Sequence, residues 1–329
     1  MSGLLLLTRR DVAALLDLSD TIRVVEAVFR DHAEGRIPMP PGVLGAHLED
    51  GGFHIKTAAL AAPRYFAAKI NANFPGNPER FGLPTIQGLI ALFDAERGTP
   101  LALMDSIEIT LLRTAAASAV AARYLARADA STVTICGCGN QGKSHLRALM
   151  KVRPIRRAFA VDAHPETAQW FAEVLAAELS IEVQMMESLA EAVAQSDMCV
   201  TCTPCRQPIL TAAMLRPGLF IAAVGADHPE KQELEPAVLA AAKVVVDLVE
   251  QAAVMGELHH AIAAGVMTAA AVHAELGQVV AGQRAGRTSD EEIFVFDSTG
   301  TALQDVAAAT LVYERAGETG RGQRWRTAD

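Results

Sequence analysis

Two hydrophobic periodicities divide the chain. Over residues 8–35 the apolar positions recur at helical spacing, with Ile22, Val25, Val28 and Phe29 on one face. Thr8-x-x-Asp11 has the form of a capping box and opens a short first helix ending near Leu16. Ser19 or Asp20 caps a second, which Gly35 stops. The pattern then shortens to that of strands. Asp50-Gly51-Gly52 reads as a hairpin turn, and further strands follow at Tyr65–Ala72, Leu89–Asp94 and Leu101–Asp105. Helices followed by an antiparallel sheet make residues 1–105 an α+β unit. Ile107–Arg127 is rich in alanine and free of proline and glycine, which predicts one long helix linking this unit to the next.

From residue 131 short apolar runs alternate with helical segments. Strands are expected at 132–136, 157–161, 181–185, 198–203, 219–224 and 243–247, which defines an α/β doubly wound parallel sheet of Rossmann type. Glu292–Phe296 is a late strand, and Asp297-Ser298-Thr299-Gly300 opens a final helix to about Arg315. That helix returns to the first unit, so the parallel sheet is an insertion. The expected division is 1–120 with 300–317 returning to it, 121–299, and a polar, glycine-rich tail at 318–329 without order.

Within that sheet, Ser131–Gly142 reads STVTICGCGNQG. A buried strand runs into Gly137-x-Gly139-x-x-Gly142, and a helix begins at Asn140. Strand, glycine turn and helix together form the dinucleotide fingerprint: a tight turn, open backbone for a pyrophosphate, and close helix–strand contact. The next strand ends in Asp162, an acid placed to accept from a ribose 2′-OH and to repel a 2′-phosphate, which favours NAD over NADP.

Composition narrows the partners. A formal charge of −9 argues against nucleic acid and anionic membranes. Leu4–Leu7 is too short for a signal peptide core and no run reaches membrane-spanning length, so a cytoplasmic protein is expected. The five cysteines, at 136, 138, 199, 202 and 205, fall in or beside strands. They read as reduced thiols, and the spacing offers no second ligand pair, so no metal site is expected.

The candidate chemistry lies at strand ends and at isolated cations. The strand at 219–224 runs into Asp227, which sits where the nicotinamide half of a Rossmann crevice is expected and is suited to general acid–base work. Lys231 follows, either a cofactor contact or an exposed lysine. Lys56, Lys69 and Arg113 each stand alone in apolar surroundings, where a buried cation needs a partner. Converging on one cleft, they would clamp an α-carboxylate. His54, His259 and His260 read as structural or exposed.

These pieces together resemble the ornithine cyclodeaminase/mu-crystallin family over nearly the whole chain. The resemblance is carried by Asn73-Phe74-Pro75-Gly76-Asn77-Pro78, Gly82-Leu83-Pro84-Thr85, Leu112-Arg113-Thr114-Ala115-Ala116-Ala117 and Gly137-Cys138-Gly139-Asn140-Gln141. Further on come Val224-Gly225-Ala226-Asp227, Lys231-Gln232-Glu233-Leu234 and Phe296-Asp297-Ser298-Thr299-Gly300. Within the family, the segments after Gly225 and from Gly286-Arg287 through Gly300 look most like the archaeal-type alanine dehydrogenases. The resemblance implies a homodimer joined through the substrate domains, a substrate carboxylate on Lys69 and Arg113, and Asp227 beside the nicotinamide. Lys69 thereby joins Asp227 among the catalytic candidates. Thr85, Gln141, Asp162, Thr203, Lys231 and Ser298 match positions that line the cofactor site in relatives, and Gly137, Gly139, Asn140, Val224 and Gly225 join them as cofactor-binding candidates. One departure weakens ornithine as substrate: Met39-Pro40-Pro41 is followed by Gly42, where ornithine cyclodeaminases carry arginine. Lys56 falls where alanine dehydrogenases of this type carry an arginine, and is the candidate replacement.

The preferred reading is an NAD-dependent dehydrogenase or imine reductase acting at the Cα of a small amino acid. Cyclodeamination, with the reduced cofactor reused, is the alternative. A non-catalytic binder of nucleotide or small ligand is the third.

Overall fold

The computed structural model describes residues 3–325 and divides into two compact units, Met1–Arg113 with Thr301–Asp329, and Thr114–Gly300. The first unit begins with strand β1 (Leu4–Leu7) and helices α1 (Arg9–Leu15) and α2 (Leu18–Ala33). The Thr8–Asp11 capping box is present at α1. At α2 the expected cap is corrected: Asp17, not Ser19 or Asp20, accepts the amides of Ser19 (2.8 Å) and Asp20 (3.1 Å). Leu18 already belongs to the first turn, so the helix begins before its apolar repeat becomes readable.

Next come β2 (Gly42–Leu48), β3 (Gly51–Ala61), β4 (Arg64–Asn73), the short α3 (Asn77–Phe81), β5 (Ile86–Asp94), β6 (Pro100–Asp105) and α4 (Ile107–Leu125). Strands β2 to β6 pair as successive antiparallel neighbours. Helix α4 is continuous across the boundary between the units. Its residues Ala115–Ala117 and Ala119–Ala122 are all buried, and alanine lets neighbours approach its backbone from several sides.

The second unit runs from β7 (Thr132–Cys136), α5 (Asn140–Leu149), β8 (Arg157–Val161), α6 (Pro165–Leu179), β9 (Glu182–Met185), α7 (Leu189–Ala194) and β10 (Met198–Thr201) to β11 (Arg206–Leu210) and β12 (Phe220–Ala223). It continues through β13 (Gln232–Leu234), α8 (Pro236–Ala240), β14 (Lys243–Val246), α9 (Val249–Ala252) and α10 (Glu257–Ala263). Strand β15 (Ala274–Glu275), α11 (Leu276–Val280) and β16 (Phe294–Asp297) complete it. Eight strands form one parallel sheet in the order β15-β14-β16-β12-β10-β7-β8-β9, while β11 and β13 pair separately. The strands β7, β10, β12 and β16 are buried on both faces, as a sheet covered on two sides requires. Strand order reverses between β7 and β10, so the ligand crevice belongs at their carboxyl ends.

The chain then returns to the first unit through α12 (Ala302–Thr319), whose residues Leu303, Val306 and Val312 pack with Leu5, Leu7, Ile90 and Met104. Asp297 does not open this helix. It ends β16 instead, and Thr301 stands at the N-cap. The tail is also corrected, because β17 (Gln323–Trp325) pairs antiparallel with β1. An edge strand with free backbone groups can order even a polar partner. Residues 326–329 of the expected tail lie outside the described residues. No helix among the described residues is long and apolar enough to cross a membrane.

Candidate functional site: a cationic clamp and a dinucleotide loop

In the first unit, β3 and β4 place Lys56 directly opposite Lys69 in register. Like charges facing across a sheet repel, and both side chains are buried. Arg113, buried on α4, adds a third charge. The last helix supplies the compensation. Asp305 on α12 sets Oδ2 at 2.6 Å from Lys69 Nζ and Oδ1 at 2.9 Å from Arg113 Nε. Gln304 beside it accepts from Arg113 Nη1 at 2.7 Å. Sequence reasoning required a partner for the cations and did not find this one. The signal was an acid set in the apolar run Ala302-Leu303-Gln304-Asp305-Val306-Ala307, where it could not remain unpaired.

Lys69 and Arg113 thus share the Asp305 carboxylate, and Lys56 adds to the positive field on it. Burial, together with the neighbouring Arg113 and Lys56 charges, pushes Lys69 down to about 7, with Asp305 opposing. Asp305 itself is held below the usual carboxylate range by Arg113, Lys69 and Lys56, against the pull of burial. Thr85, in the same unit, precedes β5 and accepts the Phe74 amide at 2.8 Å through its carbonyl.

In the second unit, the glycine loop joins β7 to α5. Gly137 adopts φ +100°, and a Cβ there would stand 2.8 Å from the Cys202 carbonyl oxygen, so only glycine fits. Gly139 is exposed with nothing within 4 Å of its Cβ position, leaving the backbone open ahead of the amides of Asn140 and Gln141 at the start of α5. Asp162, at the end of β8, is fixed to this loop: Oδ2 accepts the Cys138 amide at 2.8 Å and Oδ1 the His164 amide at 3.1 Å. Buried His145 lies 2.8 Å from the Gln141 carbonyl and 3.1 Å from Ser118 Oγ, securing α5 to α4. Desolvation pushes its imidazole down to about 4, so it is neutral at physiological pH.

The remaining candidates gather at the carboxyl ends of β10, β12 and β16. Val224 and Ser298 donate their amides to the Thr201 and Ala223 carbonyls, both at 2.9 Å. Asp227 is half-buried, with Oδ1 at 2.7 Å from Lys231 Nζ. Thr203 and Gly225 are both bound to Glu233, a residue whose motif was legible while its role was not. His260 lies 2.8 Å from the Lys231 carbonyl. The thiols of Cys136, Cys138, Cys199 and Cys202 are pushed up by burial, Cys138 to about 12, which makes them poor nucleophiles. Among the described residues no three His, Cys, Asp or Glu side chains are grouped to hold a metal.

A positive-φ turn, open backbone before a helix N-terminus and an acid tied to that loop fit NAD, and the clamp fits a small carboxylate. Together they define a nicotinamide-dependent oxidoreductase of amino or imino acids. The chain belongs to the ornithine cyclodeaminase/mu-crystallin family, whose profile matches residues 4–320. It is 42% identical over 313 residues to an alanine dehydrogenase of Archaeoglobus fulgidus, with 95% of each chain covered. Among solved structures, an archaeal alanine dehydrogenase dimer with bound NAD superposes with a TM-score of 0.94 at 39% identity, covering 99% of this chain and 100% of the other. Thermococcus litoralis Delta(1)-pyrroline-2-carboxylate reductase in complex with NADH and L-proline gives 0.93 at 34% identity, covering 97% and 99%.

Proposed function

We propose that this protein interconverts a small α-amino acid with its imino or keto acid, as an alanine dehydrogenase or a ketimine reductase does. The observation that carries the reading is the buried set Lys56, Lys69 and Arg113 gathered around Asp305. Lys69 and Arg113 share one carboxylate while buried, at a cost that a substrate carboxylate offsets. Lys69 and Arg113 bind that carboxylate and Lys56 reinforces the field. Gly137, Gly139, Asn140, Gln141, Asp162, Thr203, Val224, Gly225, Lys231 and Ser298 hold the cofactor. NAD, when bound, supplies the acceptor or donor of the hydride at Cα. Asp227 takes the proton released at the substrate nitrogen in the oxidative direction and returns it in the reductive one. Lys231 at 2.7 Å keeps that carboxylate oriented.

The assembly proposed is a homodimer. Leu44, Ile55, Ile70 and Leu89 follow one another in register across β2, β3, β4 and β5, on the face opposite Lys56 and Lys69. Leu44, Ile70 and Leu89 remain 63%, 46% and 49% exposed in the single chain. An apolar row of that extent marks a surface that another chain covers.

The test is steady-state absorbance of the reduced cofactor. NAD is offered with alanine, ornithine, lysine and proline, and NADH with pyruvate plus ammonia and with cyclic imines. A net change in NADH with an open-chain or cyclic substrate supports the reading. Ammonia release from ornithine without net NADH replaces it with cyclodeamination.

A further inference from the structure

We infer that Glu233 is a positioning residue that sets the two strand-end loops carrying Thr203 and Gly225–Asp227 for cofactor binding. It is fully buried on β13, and among the described residues no cation pairs with it; its carboxylate is bound by donors from those loops. Oε1 accepts the Thr203 amide at 2.6 Å and the Thr203 hydroxyl at 2.7 Å, and Oε2 accepts the Gly225 amide at 2.8 Å. Thr203 follows β10 and Gly225 follows β12, so one side chain ties together the ends of two adjacent strands of the parallel sheet. The Thr203 side chain in turn stands 3.2 Å from where a Gly137 Cβ would be, which links the arrangement to the dinucleotide loop.

The contact is built to close tolerance. A Cβ on Gly225 would stand 2.3 Å from the Thr203 carbonyl oxygen and 2.5 Å from Glu233 Cδ, so glycine is what lets the carboxylate reach this amide. Behind Glu233 a second carboxylate orders backbone in the same way. Glu257, at the start of α10, accepts the Glu233 amide at 2.7 Å and the Leu234 amide at 3.1 Å. Behind that, Asp297 accepts the Leu258 amide at 2.8 Å. The relay runs from β16 through α10 and β13 to the crevice, and at each step carboxyl oxygens accept backbone amides. Burial raises the proton affinity of Glu233, opposed by its hydrogen-bond donors. The three donors favour the carboxylate form, in opposition to burial.

The inference rests on NAD as cofactor, so affinity for NADH is its direct readout. Glu233→Gln keeps the size but sets an amide NH2 against a backbone N–H. In the full-length protein, Glu233→Gln is expected to weaken NADH affinity, measured by fluorescence titration, by about tenfold or more, the loss of one charge-assisted contact. It should lower kcat while leaving KM for the amino acid within about twofold, since the carboxylate clamp is built in the first unit. Mere loss of folded protein would lower kcat with no change in NADH affinity, and that result overturns the inference. Glu233→Asp keeps the charge but withdraws it from the Thr203 and Gly225 donors, and serves if Glu233→Gln fails to fold. An intermediate loss of NADH affinity supports the inference, and parental affinity overturns it. A parent protein that binds NADH but turns over no amino or imino acid contradicts the proposed function alone, because the affinity comparison still reads Glu233. A parent that binds no NADH overturns both.

Discussion

Lys69 concentrates the electrostatics of the first unit in a single side chain. It lies across the sheet from Lys56, shares Asp305 with Arg113, and is pushed down to about 7 by burial and these cations. A substrate carboxylate needs the charged ammonium, and binding it favours the proton. The amino-acid KM is therefore expected to rise as pH climbs through about 7, where the free protein loses the Lys69 proton. Steady-state KM profiles against pH check this. Lys69→Met should raise KM at low pH and flatten the profile, whereas a parental profile in that variant assigns the titration elsewhere. At this scale the sequence revealed the cations and not their counter-ion. Lys56, Lys69 and Arg113 stood out as charges among apolar neighbours, and Asp305 was equally conspicuous on the last helix. Which charges meet is decided by tertiary contact between α12 and the sheet, a relation that local pattern does not encode.

Among the elements, the strands of the parallel sheet were the most legible. Runs such as Thr132–Cys136 and Phe220–Ala223 are buried on both faces, so nearly every position is apolar or small and the signal is dense. Strands β11 and β13 escaped notice for the opposite reason. They are short, β11 is largely exposed, and their pairing is irregular in register. Their placement depends on long-range contacts such as the Ala212 amide to Glu235 and the Glu233 amide to Glu257. β1 and β17 were hidden similarly. Four leucines in a row fit a strand or a buried helix turn equally well, and Gln323–Trp325 has no apolar alternation, so its strand exists only because β1 offers an edge. The dinucleotide loop was readable because Gly137 and Gly142 serve backbone needs that no other residue meets. Its setting beside Thr203 and Glu233 was not, because those groups come from distant strands.

For the whole molecule, the two units carry different features: a buried cation cluster on a mainly antiparallel sheet, and a glycine loop on a parallel one. The antiparallel sheet also carries the exposed apolar row on the face away from its lysines. Placing a charge in the middle of that row should break the assembly without touching the clamp. Ile70→Glu is expected to run as a monomer in size-exclusion chromatography with light scattering, where the parent runs as a dimer. A dimeric Ile70→Glu would place the interface elsewhere.

Hydride exchange between NAD and the Cα of an amino acid is read by isotope transfer. The substrate identified in the absorbance panel is supplied deuterated at Cα with unlabelled NAD, and the reduced cofactor is analysed by mass spectrometry. One deuterium per NADH, placed on the nicotinamide ring, is the expected result. Turnover that leaves the cofactor unlabelled and releases the deuterium to solvent would contradict that exchange.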